Sequence, residues 1–459
     1  MYYDNYELLK KQLKVDKSKK TPITHNININ SPLLPFGTRN PERPKFKNGF
    51  KGVIGEFARL NSDKEWDNNL NSNNIVQSTI NNPSVNIEEG CEDYLKVLIK
   101  EYIIGNDENL NIIHPHLFLY LPQTEGKQEV GEYKLAKFLN DVFFKDVPDF
   151  NEFFNNKESN HLIIQLILNN LPDLNFKKEK PTYIPKLDYI LTVFKEDMMF
   201  LLEGKEDFLI KSIDNILAYY YFYYITQLSL KLSKKESCMD ENEKLYYLLD
   251  SESANKNRKS TKQGYSIVKI KNRNLLSKIN TVEHINTLLG THGLIFSELN
   301  DYVKQLTEND REDFIKILGM WINEYRNLRD QTPLDLGKNF PTLYKQLFDS
   351  INDEEKGVGI ETKSRYALYL EEIGKKYFLK SRGKYGNMLN INQETLLNIT
   401  ALCIKDEKIL LKQLFKEYER RGLYFDNYSK EEIIKFFNKL NLIDKKSDSG
   451  DAQYVKRIL

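Results

Sequence analysis

A chain of 459 residues with 67 basic and 66 acidic side chains is close to neutral, which excludes a protein that grips a polyanion with its whole surface. Its 40% hydrophobic and 29% charged content is ordinary for a folded protein, and the length corresponds to about three domains of ~150 residues each. Cys91, Cys238 and Cys403 lie far apart and form no CxxC pair, which argues against a disulfide framework or a zinc ribbon and for a reducing, cytoplasmic setting.

The opening "MYYDNYELLKKQLK" is polar and aromatic and carries no secretory signal. Residues 1–90 show little regular pattern beyond a lysine-studded helix over Tyr3–Val15. "LLPFGTRNPERPKFKNGFKG" (33–52) mixes Pro, Gly and basic residues, and "NSDKEWDNNLNSNNIVQSTINNPS" (61–84) is Asn-rich. This region is expected to be an irregular basic and Asn-rich arm. Its "KKQLKVDKSKK" (10–20) and "RNPERPKFK" (39–47) fit either a grip on DNA or a partner, or a solubilising tail.

From about Glu92 the helical period takes over. "EDYLKVLIKEYI" (92–103), "EYKLAKFLNDVFF" (132–144) and "HLIIQLILNNL" (161–171) repeat apolar residues every three or four positions. Further helices are expected over 186–204, 215–232, 286–306, 310–330 and 363–381, with a polar break in 238–266 and no fixed-period repeat. The span 215–232 carries five tyrosines and is shorter and more polar than the roughly 20 apolar residues of a membrane helix, so it reads as buried core. Residues 91–381 are therefore expected to form a helical body for partner docking, ended by the linker candidate "RGKYGN" (382–387).

Residues 388–459 read as a compact module. Asn392 can cap a helix whose stripe is Leu396, Leu397, Thr400 and Ile404. "KIL" (408–410) fits one edge strand, and Leu411, Leu414, Phe415 and Tyr418 face inward on a second helix stopped by Gly422. Ser429 and Glu432 have capping-box spacing ahead of a third helix, 430–440, that buries Ile433, Ile434, Phe437 and Leu440. "NLIDKKSDSGDAQYVKRIL" (441–459) then has the alternation and turn residues of a hairpin, with Gly450 at its tip. Three helices, a small strand and a terminal ribbon in this order describe a winged helix-turn-helix, in which the third helix enters the DNA major groove and the ribbon reaches over the backbone. The fold class is thus expected to be mainly α: a multi-helix body, an irregular N-terminal region and a C-terminal winged helix-turn-helix.

Charge fits this placement. Residues 375–459 hold 18 basic and 11 acidic residues, a net of +7, which leaves −6 for the rest. "KKYFLKSRGKYG" (375–386) contributes Lys375, Lys376, Lys380, Arg382 and Lys384 among three aromatics. The third helix and its entry contribute Tyr428, Lys430, Lys435, Asn438 and Lys439, although Glu431 on the same side opposes a phosphate backbone. The hairpin contributes Lys445, Lys446, Lys456 and Arg457. These fourteen are the expected DNA contacts.

The segments "FLKSRGKYGNMLNINQETLLNITALCI" (378–404), "LFKEYERRGLYFDNYSKEEIIKFFNKLNLI" (414–443) and, most specifically, "DKKSDSGDAQYVKRIL" (444–459) resemble the DptG (also called DndG) family of phosphorothioation-dependent DNA restriction systems. The resemblance implies a bacterial defence subunit that binds duplex DNA and bridges ATPase-like partners, DptF and DptH. It implies no catalytic residues and no cofactor.

The residues offer little chemistry of their own. The Gly-Lys pairs at 126, 204, 337, 374 and 383 all lack the following Ser or Thr of a P-loop, so energy coupling falls to a partner. "HPH" (114–116) supplies two imidazoles where zinc wants three or four ligands. "GIETKSR" (359–365) contains an E-x-K, with Asp335 as the upstream acid of a metal-dependent nuclease, but Glu361 and Lys363 fall at a helix start and read as cap and surface charges. Cys403 lies on an inward stripe and reads as core. A non-catalytic duplex-DNA-binding subunit is the leading reading. A winged-helix transcriptional regulator or replication initiator, a protein-docking scaffold and a metal-dependent nuclease are the rivals.

Overall fold

The helix Glu206–Lys231 is the axis of the molecule. Its first turns carry the exposed Glu206, Asp207 and Lys211, and residues 215–231 are buried without interruption on every side. The helices Asp188–Leu202, Tyr265–Asn272, Ile360–Ile373 and Gln393–Ile404 pack around it. A helix so enclosed must satisfy its tyrosine hydroxyls internally. Tyr219 donates to the Arg421 carbonyl, Tyr220 to Asp197 and Tyr223 to Asn242, while Tyr224 accepts from the Lys186 N–H at 2.7 Å. These rings are core, not a stacking platform.

This computed structural model describes residues 2–19, 22–24, 31–47, 49–66, 76, 79–80, 88, 90–104, 110–145, 147, 149–232, 234, 240–445 and 453–459. The chain is mainly helical, with three small sheets among the described residues. None of the described helices is long and apolar enough to cross a membrane. A second enclosed helix, Leu275–Leu289, is wrapped by Tyr2–Gln12, Glu308–Leu328, Phe340–Asn352 and Ile360–Ile373, and stops at Gly290, whose φ of 70° is left-handed.

The N-terminal region is not the arm expected from its sequence. Tyr6 and Leu9 of the Tyr2–Gln12 helix are buried, and so are Leu33, Leu34, Phe36, Phe46 and Phe50 in the irregular stretch that follows. The helix Lys51–Asn61 buries Val53, Ile54, Phe57 and Ala58 and packs on Glu129–Phe138, so elements on both sides of position 90 pack together. Its basic residues are partly spent inside the molecule: Lys17 pairs with Glu324, and Arg43 and Lys45 both pair with Glu372. Much of the Asn-rich stretch lies outside the described residues.

The expected linker is also structured. Leu379–Ser381 and Asn387–Ile391 form an antiparallel pair around a tight turn at Gly383–Tyr385, and Asn387–Ile391 runs parallel to Leu248–Leu249. The helices Gln393–Ile404, Leu411–Arg420 and Asn427–Lys439 follow, with Ile409–Leu410 between the first two. Gln453–Val455 is the centre of a three-stranded antiparallel sheet, flanked by Ile409–Leu410 and Ile443–Lys445. The hairpin register pairs Ile443 with Val455 and Lys445 with Gln453. Residues 446–452, and with them Lys446 and Gly450, lie outside the described residues.

One apolar core runs through both the body and this C-terminal unit. Two buried arginines tie them together. Arg421 makes a bidentate pair with Asp197 at 2.6 and 2.8 Å, with side chains 1% and 0% exposed. Arg258 reaches from the polar 238–266 stretch to both oxygens of Asp426 at 2.7 and 2.8 Å, and also to Glu252 and Ser429.

Candidate nucleic-acid interface

The third C-terminal helix starts one turn earlier than the sequence indicates. Asp426 is its N-cap, accepting from the Ser429 N–H at 3.1 Å. The Ser429–Glu432 capping box does not form: Ser429 is buried beneath Arg258, and Glu432 pairs with Lys435 at 2.7 Å. Burial would raise Asp426, but its hydrogen bonds from Arg258 prevail and hold it below the usual carboxylate range. The Arg258 guanidinium also lies 5.3 Å over the ring of Tyr428, whose residue is 62% exposed.

Ile433 and Phe437 are buried, Ile434 is half-buried, and Leu440, expected in the core, is 44% exposed. Glu431, Lys435, Asn438 and Lys439 share the exposed face, as spacings of three, four and seven dictate. Asn438 donates to the Ile434 carbonyl at 2.9 Å, so part of the amide that would read adenine is used on its own helix. Lys435 is raised by its hydrogen bond to Glu432. Lys439 has no acidic partner among the described residues.

The return strand brings two more cations to the same end. The Lys456 N–H donates to the Leu442 carbonyl, and Lys456 Nζ reaches the Asn441 carbonyl at 3.0 Å, just past the end of the helix. A cation at a helix C-terminus is favourable there. Arg457 follows it and is exposed. Lys439 at the end of the helix and Lys456 and Arg457 after the return strand are thus three exposed cations of this unit. Lys445 is in the neighbouring strand.

Other expected contacts meet partners within the protein. Lys430 sits 5.0 Å over the Phe415 ring and 3.8 Å from Glu419. Lys375 pairs with Glu371, and Lys380 with Asp250. Arg382 turns inward to the carbonyls of Glu252 and Leu249 and to Asn390, so it stitches two strands together. Lys384 lies over the ring of Tyr385, and Lys376 is exposed.

The catalytic candidates are held in structural roles. His114 accepts from the His116 N–H and meets the Glu158 carbonyl, while His116 meets the Phe154 carbonyl at 2.7 Å and is pushed down to about 4 by burial. Lys363 reaches the Asn352 carbonyl at 3.2 Å, closing the end of the Phe340–Asn352 helix, and Glu361 pairs with Arg365. Burial pushes the Cys403 thiol up to about 12, far from a nucleophile's range. Among the described residues no three His, Cys, Asp or Glu side chains gather as a metal-binding group.

The residues that position this unit, Arg421, Asp197 and Arg258, escape a search for patches. Two of them leave a signal. Arg421 continues the inward stripe of Leu414 and Tyr418, and Asp197 the stripe of Ile190, Val193 and Phe194. Opposite charges on two apolar stripes mark a buried pair. Arg258 stands in an aperiodic segment and leaves none. No protein-family model matches the chain, and no curated protein matches it.

Proposed function

We propose that the chain is a non-catalytic subunit that binds double-stranded DNA through its C-terminal unit, used as a winged helix-turn-helix, in a phosphorothioation-dependent restriction complex of the DptG type. The helical body is the docking surface for DptF-like and DptH-like ATPase partners, which supply energy and cleavage. The observation that carries the reading is a helix–strand–helix–helix–hairpin unit with a three-stranded antiparallel sheet that bears the exposed cations Lys439, Lys456 and Arg457. In this use Asn427–Lys439 lies in the major groove and the hairpin follows the adjacent phosphates. The rigid attachment through Arg258 and Arg421 transmits the unit's position on DNA to the body.

The test is fluorescence anisotropy with a labelled random duplex across a salt series. Three phosphate contacts give a log–log salt slope of about −2.7, at roughly 0.9 per contact. Lys439→Glu with Arg457→Glu should weaken binding at least tenfold on every sequence and flatten the slope by about 2. Unchanged binding removes these residues from the interface. A second reading, a protein-docking scaffold, is favoured by exposed Leu410, Tyr428 and Leu440 on the same unit. Co-purification with large ATPases without any duplex binding selects it.

A further inference from the structure

A cavity of about 470 Å³ opens where the start of the Leu275–Leu289 helix meets Tyr265–Asn272 and Phe340–Asn352, far in sequence from the C-terminal unit. Its volume is in the range of small-molecule sites. Lys271, Lys278 and Lys345 line it together with Phe296, Tyr344 and Phe348, and no acidic residue does.

Lys278 is the unusual member. Its residue is 6% exposed, its ammonium is not among the fully buried unpaired atoms and so keeps contact with the open cavity, and it has no acidic partner among the described residues. It also sits in the first turn of its helix, where the backbone dipole disfavours a cation. Burial, and then the charge of Lys271, push it down to about 8. A long apolar side chain would fill this position without either cost. What a lysine adds is a cation presented at the wall of a cavity, flanked by the exposed Lys271 and Lys345. The opposite requirement, a flat apolar group, is met by Phe296, which packs on Tyr344 with ring centroids 4.4 Å apart.

We propose that this cavity binds a small phosphate-bearing aromatic molecule of the nucleotide class, its phosphate on Lys278 between Lys271 and Lys345 and its base against Phe296 and Phe348. A dianionic phosphate matches three cations better than a single carboxylate does, and it neutralises an ammonium that has no acidic partner among the described residues. The aromatic wall supplies the stacking surface that inorganic phosphate cannot use.

Isothermal titration of the full chain with AMP, adenosine and inorganic phosphate tests this. AMP should bind saturably, with adenosine and phosphate each at least tenfold weaker. Lys278→Met should weaken AMP at least tenfold while leaving the melting temperature at or above that of the parent. The exposed pair Lys271→Ala and Lys345→Ala, which does not touch the core, should weaken AMP by a similar factor. Absent AMP binding, or binding unchanged in both variants, overturns the site. Phosphate binding as tightly as AMP overturns the role of the aromatic wall.

Discussion

Replacing Arg421 with Met tests how the C-terminal unit is held. The change keeps most of the side-chain volume and removes a guanidinium that donates to Asp197, Glu417 and the Leu402 carbonyl. Asp197 is then left fully buried, with the Tyr220 hydroxyl as its remaining partner among the described residues. Stranding one member of a buried pair costs about 3–5 kcal/mol. The adjacent Arg420 provides the control. Its pair with Glu196 has the same 2.6 Å separation, but the side chains are 41% and 38% exposed, so Arg420→Met should cost about 0–1 kcal/mol. Equilibrium urea unfolding of the two variants reads the difference directly. Adding Asp197→Leu to Arg421→Met should recover most of the loss, because both buried charges are then gone. An Arg421→Met loss within about 1 kcal/mol of that for Arg420→Met would show that solvent reaches Asp197 and that the unit is not clamped as described.

Glu283 and Gly422 yield two further expectations. Burial pushes Glu283 up to about 7 against a hydrogen bond from Ser31, so the folded state holds this proton more tightly than the unfolded one. Its contribution is fully present below the usual Glu value and is lost as pH rises through about 7, a swing of roughly 3 kcal/mol. Glu283→Gln should therefore match the parent in thermal melts near pH 4.5 and exceed it near pH 8, and a gap independent of pH would refute the assignment. Gly422 ends the Leu411–Arg420 helix at a φ of 80°, and a Cβ there would stand 2.1 Å from Cε2 of Tyr223. Left-handed strain and overpacking together should make Gly422→Ala cost about 3 kcal/mol, and an unchanged melting temperature would contradict this contact.

The helices were legible wherever an apolar stripe repeats with the helical period, and the terminal hairpin was legible from alternation and turn chemistry. The N-terminal packing was not, because Leu33, Phe36, Phe46 and Phe50 enter the core from extended chain, where no period advertises burial. "RGKYGN" departs from a linker for a related reason: the same Gly-containing composition serves a flexible joint and a tight hairpin, and the partner strand Leu248–Leu249, over a hundred residues away, decides between them. The capping box failed through competition. Asp426 precedes Ser429 by three residues and is a strong cap, and Arg258 fixes it in place.

Charge is the property that sequence reading located least well, and the reason is physical. A count along the chain gives the C-terminal region +7, but a side chain's availability depends on what is across from it. Arg421 and Arg382 spend their guanidinium groups inside the protein, and Lys375, Lys380, Lys430 and Lys435 are drawn toward carboxylates. A phosphate must displace those partners, and exposed pairs of this kind yield at a cost of at most about 1 kcal/mol each. Arg421 does not yield, since a cation sealed in the core cannot exchange its carboxylate for DNA, and Arg382 is held by the carbonyls of Glu252 and Leu249 and by Asn390. On the proposed reading the interface is therefore narrower than the composition implies, limited to exposed cations such as Lys439, Lys456 and Arg457, and a modest affinity for a bare duplex is expected. Tight retention on DNA then calls for a second contact surface, which the proposed assembly would provide through its partner subunits.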